Sequence, residues 1–302
     1  MSPSAARGAP IGSESARARI SSALGPVAVF AATAVVIAVV LAFLLLPIVA
    51  LVVYQPLGTL LHDFNSQVST DAIKVSLKTN LIAMGLTLVL GTPFAYAIGR
   101  HRFPGRSVVI TLVELPLVMP PAVAGIGLLV AYGRLGLLGH QLTALGIDLG
   151  LTQAAVVMAI ILVASPFYLR GAIGAFEAID PTVLDVAGTL GAGPLRRMLR
   201  VALPLASAGL GASAALCFAR GIGEFGATIL FAGSFQGSTQ TLPLAVYSLF
   251  DANLGQAIAV GVLLLIVSAA ILLTAKLLGS WTGSISTSLS RGGRSISAQR
   301  SA

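Results

Sequence analysis

Residues 170–204 read RGAIGAFEAIDPTVLDVAGTLGAGPLRRMLRVALP and separate two apolar runs, 153–169 and 205–232. Links between packed helices usually take two to eight residues, so a polar link this long needs a reason. Asp180-Pro181 reads as an N-cap followed by proline at the first helical position, and Gly191 falls where a short helix would end. A second start follows at Gly193-Pro194. Beyond it Leu195, Met198, Leu199 and Ala202 recur at helical spacing on one face, while Arg196, Arg197 and Arg200 gather on the other, and Pro204 opens the next run. The spacing predicts two short amphipathic helices at a membrane surface. They either rest on the headgroups or present themselves to a partner.

Working outward, apolar runs occur at about 27–54, 75–99, 108–131, 153–169, 205–232 and 254–278, each helix-like in length and mostly free of charge. With 56% hydrophobic residues, 9% charged residues and a mean hydropathy of +0.97, the chain lies outside the range of soluble domains. The runs lack the two-residue alternation of a membrane barrel, and an open sheet in lipid leaves backbone groups unpaired. The expected fold is therefore all-α and polytopic, with six transmembrane helices.

The run 27–54 is about twice as long as the apolar core of a secretion signal and has no A-x-A cleavage pattern close behind it, so it is expected to stay as a first span. Residues 1–26 and 280–302 hold too little apolar surface to pack and are expected to be disordered tails. Orientation follows from basic residues in short loops. Arg7, Arg17 and Arg19, then Arg100, Arg102 and Arg106, then Arg170, Arg196, Arg197 and Arg200, then Arg291, Arg294 and Arg300 all fall on one side of a six-span arrangement. The other side holds Asp63, Asp71, Asp148 and Asp251, with Arg134 the main basic exception. Both termini are expected in the cytoplasm. The net charge of +8 is accordingly a topology signal, helped by attraction to anionic lipid, and not the footprint of nucleic-acid binding. Cys217 sits in an apolar run and reads as a small packed hydrophobe; His62, His101 and His140 are scattered without partners at ligand spacing, so no metal site is expected.

The order Asp185-Val186-Ala187, three residues, Gly191, nine residues, Val201-Ala202-Leu203-Pro204 resembles the EAA signature of the ABC importer permeases, in which Glu-Ala-Ala is followed at the same spacings by Gly and by Ile-x-Leu-Pro. Asp185, Val186 and Val201 are conservative replacements, whereas Ala187, Gly191, Leu203 and Pro204 match. The resemblance extends over 73–279 and implies a type I importer permease core of a bacterial inner membrane. It implies that 170–204 is the coupling loop docking on a cytoplasmic ATPase, with Asp185, Ala187, Gly191, Arg196, Arg197, Leu203 and Pro204 as docking residues. It further implies a second permease copy, two ATPase subunits that use ATP and Mg2+, and an extracytoplasmic oxyanion-binding protein. The chain itself shows no catalytic residues and no nucleotide site, since none of Lys74, Lys78 and Lys276 follows the glycines of a phosphate-binding loop, and no cofactor is expected on it.

Ionisable side chains near mid-bilayer cost about 2.5–3.5 kcal/mol on insertion scales, so Glu114, Arg220 and Glu224 need partners or water. Arg220 and Glu224, four residues apart, form either an internal ion pair that permits insertion or part of a gate, and the glycines in Arg220-Gly221-Ile222-Gly223-Glu224-Phe225-Gly226 allow a bent helix. Pro116, Pro120 and Pro121 follow Glu114 closely and must kink the third run. Such a break either borders a pathway, where backbone donors meet an anion, or serves packing.

Gly223-Glu224-Phe225-Gly226-Ala227-Thr228, then Phe231-Ala232-Gly233, then Thr239-Gln240-Thr241-Leu242-Pro243-Leu244-Ala245-Val246-Tyr247 looks like the molybdate branch of these permeases. Sulfate and thiosulfate permeases are the runner-up, and tungstate is nearly indistinguishable from molybdate by shape and charge. Thr239, Gln240 and Thr241 are either an outer gate or docking surface, or an ordinary polar outer loop. An ion-coupled carrier relaying protons through Glu114 and Glu224, or a non-transporting scaffold, would dispense with the ATPase.

Overall fold

A computed structural model describes residues 12–274, with side chains from residue 29 onward, and every regular element among them is helical. The chain divides after Pro56 into two units. The first holds α1 (Gly12–Val53), whose segment Val29–Val53 is long and apolar enough to cross a membrane. The helix starts well before residue 27, inside the stretch expected to be unstructured; once an apolar run has nucleated a helix, the preceding Ala- and Arg-rich residues need only propagate it. The tail expected at 280–302 lies outside the described residues.

The second unit comprises α2 (Leu57–Phe64), α3 (Gln67–Arg100), α4 (Arg106–Val118), α5 (Pro121–Tyr132), α6 (Gly139–Ala144), α7 (Gln153–Glu177), α8 (Pro181–Thr189), α9 (Pro194–Arg197), α10 (Leu203–Ile222), α11 (Gly226–Ala232), α12 (Leu242–Phe250) and α13 (Leu254–Thr274). Its centre is α7, which packs on α3 and α10. The contact faces carry small residues. Gly91 of α3 stands against Leu169 and Tyr168, Gly99 against the Ile173 carbonyl, and Gly221 of α10 against Asn80 and Ile160, so backbones approach where lipid supplies no hydrophobic drive. Polar groups buried at these contacts are paired: Tyr168 with Thr92 at 2.5 Å, and the Asn80 amide donating to the Phe218 carbonyl at 3.0 Å. Cys217 is buried among them as a free thiol.

The run 108–131 is kinked, as its prolines require: α4 and α5 meet at 112° across Met119 and Pro120. Pro120 and Pro121 supply no N–H, so the hydrogen-bond ladder stops there. Five helices of the described residues can cross a membrane unbroken, and six crossings result if the bent pair counts as one. The run 205–232 also divides, α10 ending at Ile222 and α11 restarting at Gly226. Finally, α7 continues past residue 169 to Glu177, and Pro204 does not begin a new helix. From Pro194 the chain runs through α9, a wider π turn at Met198–Ala202 and α10 as one continuous helix to Ile222. The π turn absorbs the proline: Leu203 donates to the Met198 carbonyl five residues back, giving the Pro204 ring room against the preceding turn. The second amphipathic helix expected in 170–204 is thus the first turns of a span.

Candidate functional site

The surface segment begins where α7 ends. Arg100 donates to the Ile179 carbonyl at 2.8 Å and to the Phe176 carbonyl at 3.4 Å, satisfying groups that the helix end leaves open. Asp180 caps α8 by accepting from the Thr182 N–H at 2.9 Å, and those hydrogen bonds hold its carboxyl below the usual range. At the other end Gly191 has φ +83°, with Gly191 N–H on the Gly188 carbonyl and Ala192 N–H on the Ala187 carbonyl, both at 3.0 Å. This is a Schellman cap, and it explains a glycine four residues after Ala187. Only Leu184 anchors α8 in the core. Asp185 is exposed, and Val186 (52%), Leu190 (82%) and Leu195 (65%) face outward beside exposed Arg196 and Arg200. Arg197 is drawn back, its guanidinium against Gly188 and its Nε buried without a partner. Leu203 is half-buried and Pro204 exposed, both on the continuous helix.

The second group of residues forms where two helix breaks meet. The packing of α5 on α11 places Gly226 against Pro121 and Ala122, and Gly125 against the Ala227 backbone; a Cβ on Gly125 would stand 2.8 Å from the Ala227 carbonyl oxygen. Glu224, 2% exposed, spans the break between α10 and α11. One carboxylate oxygen lies 2.9 Å from the Arg220 guanidinium and the other accepts the Ala227 N–H at 2.8 Å, capping α11. The break at α11 is thus filled by a carboxylate of the chain itself. The first N–H groups of α5, after Pro120 and Pro121, have no such side-chain cap. Phe225 meets Tyr247 of α12, ring centroids 5.2 Å apart, joining two pieces of sequence that lie apart in the chain.

Thr239, Gln240 and Thr241 are buried, so this is not an exposed outer loop. The reason is local. Thr239 Oγ1 accepts from Phe235 N–H, three successive N–H groups from Ser238 to Gln240 converge on the Phe235 carbonyl, and the Gln240 amide donates to Ser248 at 2.8 Å. The next residue, Leu242, donates its N–H to Ser76 of α3 at 2.7 Å. Thr228 Oγ1, Gln240 Oε1 and Thr241 Oγ1 are buried without a hydrogen-bond partner.

Glu114 stands apart from this junction, 3.4 Å from Arg170 of α7. A second pair, Arg106 with Glu177, joins the same two helices nearer their end. Residue-type reasoning placed Arg170 in the surface link and missed both partners, because it ended α7 too early.

Residues 91–282 match the family described as binding-protein-dependent transport system inner membrane component. The molybdenum transport system permease protein ModB of Mycobacterium tuberculosis is 40% identical over 233 residues, covering 76% of this chain and 88% of that protein. The sulfate transport system permease protein CysW of Synechococcus elongatus is 37% identical over 186 residues, 62% of this chain and 64% of that protein. In structure, a chain of a bacterial alginate ABC transporter, crystallised with a periplasmic protein bound to alginate pentasaccharide, superposes with a TM-score of 0.66 at 20% identity, covering 82% of this chain and 92% of that chain. The fold is that of the type I ABC importer permeases.

Proposed function

The chain belongs to the family of binding-protein-dependent transport system inner membrane components, and from that premise we propose that it carries molybdate into the cell as the pore subunit of an ATP-driven importer. The observation that carries the reading is the exposed face of α8 and its Schellman cap. Apolar Val186 and Leu190 stand on and just after a helix outside the spans that is anchored through Leu184 alone, with exposed Leu195, Arg196 and Arg200 at the start of the next span, which suits a surface that a cytoplasmic partner covers. In this reading Asp185, Ala187 and Gly191 dock on an ATPase subunit that binds ATP and Mg2+, and this chain binds no cofactor of its own.

A second permease copy completes the pathway, one ATPase docks on each copy, and an extracytoplasmic binding protein delivers the anion. The arginine distribution supports both termini in the cytoplasm. ATP binding pulls the two α8 surfaces together, and the junction of the two breaks transmits that movement, since α5 and α11 approach closely through Gly125 and Gly226. A tetrahedral dianion passing the junction would meet the uncapped N–H groups of α5 and the partly exposed Arg220, whose charge Glu224 holds in place.

Family membership removes the ion-coupled carrier, and Glu114 and Glu224 are each paired with an arginine. Sulfate remains the second reading because of the similarity to a sulfate permease. The test is ATP-dependent uptake of labelled molybdate into vesicles holding this chain, its ATPase and its binding protein. Uptake that resists excess sulfate and yields to tungstate supports molybdate; sulfate-sensitive uptake changes the cargo.

A further inference from the structure

We propose that the seam between α3, α4 and α7 is a binding site for one anionic phospholipid, its phosphate held by Arg102 with Arg100 and Arg106, and an acyl chain laid in the apolar groove below. Three cavities run along this seam. The first, about 440 Å3, lies at the ends of α3 and α7 and the start of α4, and is lined by Gly99, Arg100, Arg102, Arg106, Glu177 and Pro181. The second, about 270 Å3, shares Glu177 with the first and passes the Arg170–Glu114 ion pair to reach Val113. The third, about 350 Å3, shares Val113 and is lined mainly by Leu86, Leu90, Phe94, Ile161 and Leu169.

The charge at the first cavity favours an anion after its own carboxylates are counted. Three arginines face Glu177, already paired with Arg106, and Asp180, which is near Arg100 and committed to capping α8. His101 is turned back onto the Ala97 carbonyl. Donors are left over: Arg100 spends only Nη1 on carbonyls, Arg106 spends Nε and Nη2, and Arg102 makes no hydrogen bond or ion pair among the described residues.

The dimensions fit a lipid. With a rise of about 1.5 Å per residue, Leu90 and Leu86 lie roughly 15 and 21 Å along α3 from Arg100, which carries the groove from headgroup level to about the bilayer centre. A hydrated dianion would not follow walls of Leu, Phe and Ile, whereas an acyl chain would, so the seam is not a branch of the transport pathway. A basic pocket between membrane helices that opens onto an apolar groove matches the two halves of an acidic lipid and commits the site to that occupant over free phosphate.

The inference does not depend on the cargo, and its test needs no transport. The full chain would be purified in detergent and titrated with phosphatidylglycerol or phosphatidylcholine of identical acyl chains, with bound lipid counted by native mass spectrometry. Phosphatidylglycerol is expected to bind more tightly than phosphatidylcholine, Arg102→Gln to lose about fivefold of that preference, and Arg102→Glu to lose more. Leu90→Asn is expected to weaken both lipids alike. Equal binding of the two lipids, or Arg102→Gln without effect, would overturn the headgroup site. Inorganic phosphate displacing the lipid from wild type while Leu90→Asn binds normally would overturn the acyl groove and leave a free-anion site. Efficient cross-linking of two copies through Leu90→Cys, with no lipid bound, would place a second copy in the groove and overturn the proposal outright. Both substituted residues are exposed, so the variants are expected to fold.

Discussion

Helices α7 and α4 lie side by side and are held by opposite means. Along α7, twelve residues between Ala155 and Phe176 are buried, with α3, α10 and α11 packed against the helix, whereas α4 buries no residue at all. What fastens α4 to α7 on the polar side is two ion pairs, Arg106 with Glu177 and Glu114 with Arg170, neither fully shielded from solvent. Its Val108, Leu112, Leu115 and Val118 face outward. Packed cores resist small displacements, while exposed ion pairs exchange partners at little cost. The difference assigns α7 to the scaffold and α4, with the break that follows it, to the part that moves or awaits another surface.

The largest effect that would break this distinction is in the scaffold. Gly221→Val puts a branched side chain where a Cβ alone would lie 2.2 Å from Asn80 Oδ1 and 2.9 Å from Ile160 Cγ2. Overpacking of this kind costs about 1–3 kcal/mol or more, so the melting temperature in detergent is expected to fall sharply and membrane yield with it. Leu112→Ala on the open face of α4 is expected to change stability by under about 0.5 kcal/mol. If Leu112→Ala destabilised as much as Gly221→Val, the division would fail.

Next comes the junction. Truncating one member of a buried pair costs about 3–5 kcal/mol, so Glu224→Ala alone is expected to be severe, because it also uncaps α11. The double variant Arg220→Met with Glu224→Gln is expected to recover much of that stability. Uptake separates the two meanings of the pair: recovery of folding without transport marks a gate, and recovery of both marks an internal pair that only permits insertion.

These comparisons also show what the sequence could tell. Hydropathy alone located the apolar runs, and the Asp180-Pro181 start and Gly191 stop of α8 were legible because caps are local chemistry. The signature spacing around Gly191 was readable for the same reason. The meeting of Pro121 with Gly226 was not, since it joins two breaks distant in sequence, and each break alone reads as a kink. Nor was the burial of Thr239–Thr241, because polar residues in a row suggest a loop until the Phe235 turn and Ser76 are seen to satisfy them. Extending α7 beyond residue 169 required knowing that Arg170 had Glu114 to meet.

A smaller effect is expected at Gly191. No atom lies within 4 Å of a Cβ placed there, so Gly191→Ala meets only the left-handed φ of +83°, a strain of about 1–2 kcal/mol. Stability should fall slightly, while uptake coupled to ATP hydrolysis falls more if the cap shapes a docking surface. Equal, small losses in both would reduce Gly191 to a helix stop. Smaller again is Arg106→Gln, which removes a half-exposed pair expected to contribute less than about 1 kcal/mol, and whose effect on thermal stability should vanish at high salt.

The smallest effect concerns Asp180, fully exposed at the start of α8. Its carboxyl is held below the ordinary carboxylate range chiefly by hydrogen bonds from Thr182. A depressed folded value means that the cap's ionisation adds stability above the unfolded value and loses it only as pH falls through the folded one. Between about pH 5 and 8 the group is ionised in both states, so this residue contributes no pH dependence there. Asp180→Asn, which caps as well, should leave thermal stability and its flat pH profile unchanged, whereas Asp180→Ala should lower stability uniformly across that range. A sloping profile abolished by Asp180→Asn would instead mean that Asp180 meets a titrating partner when α8 is covered.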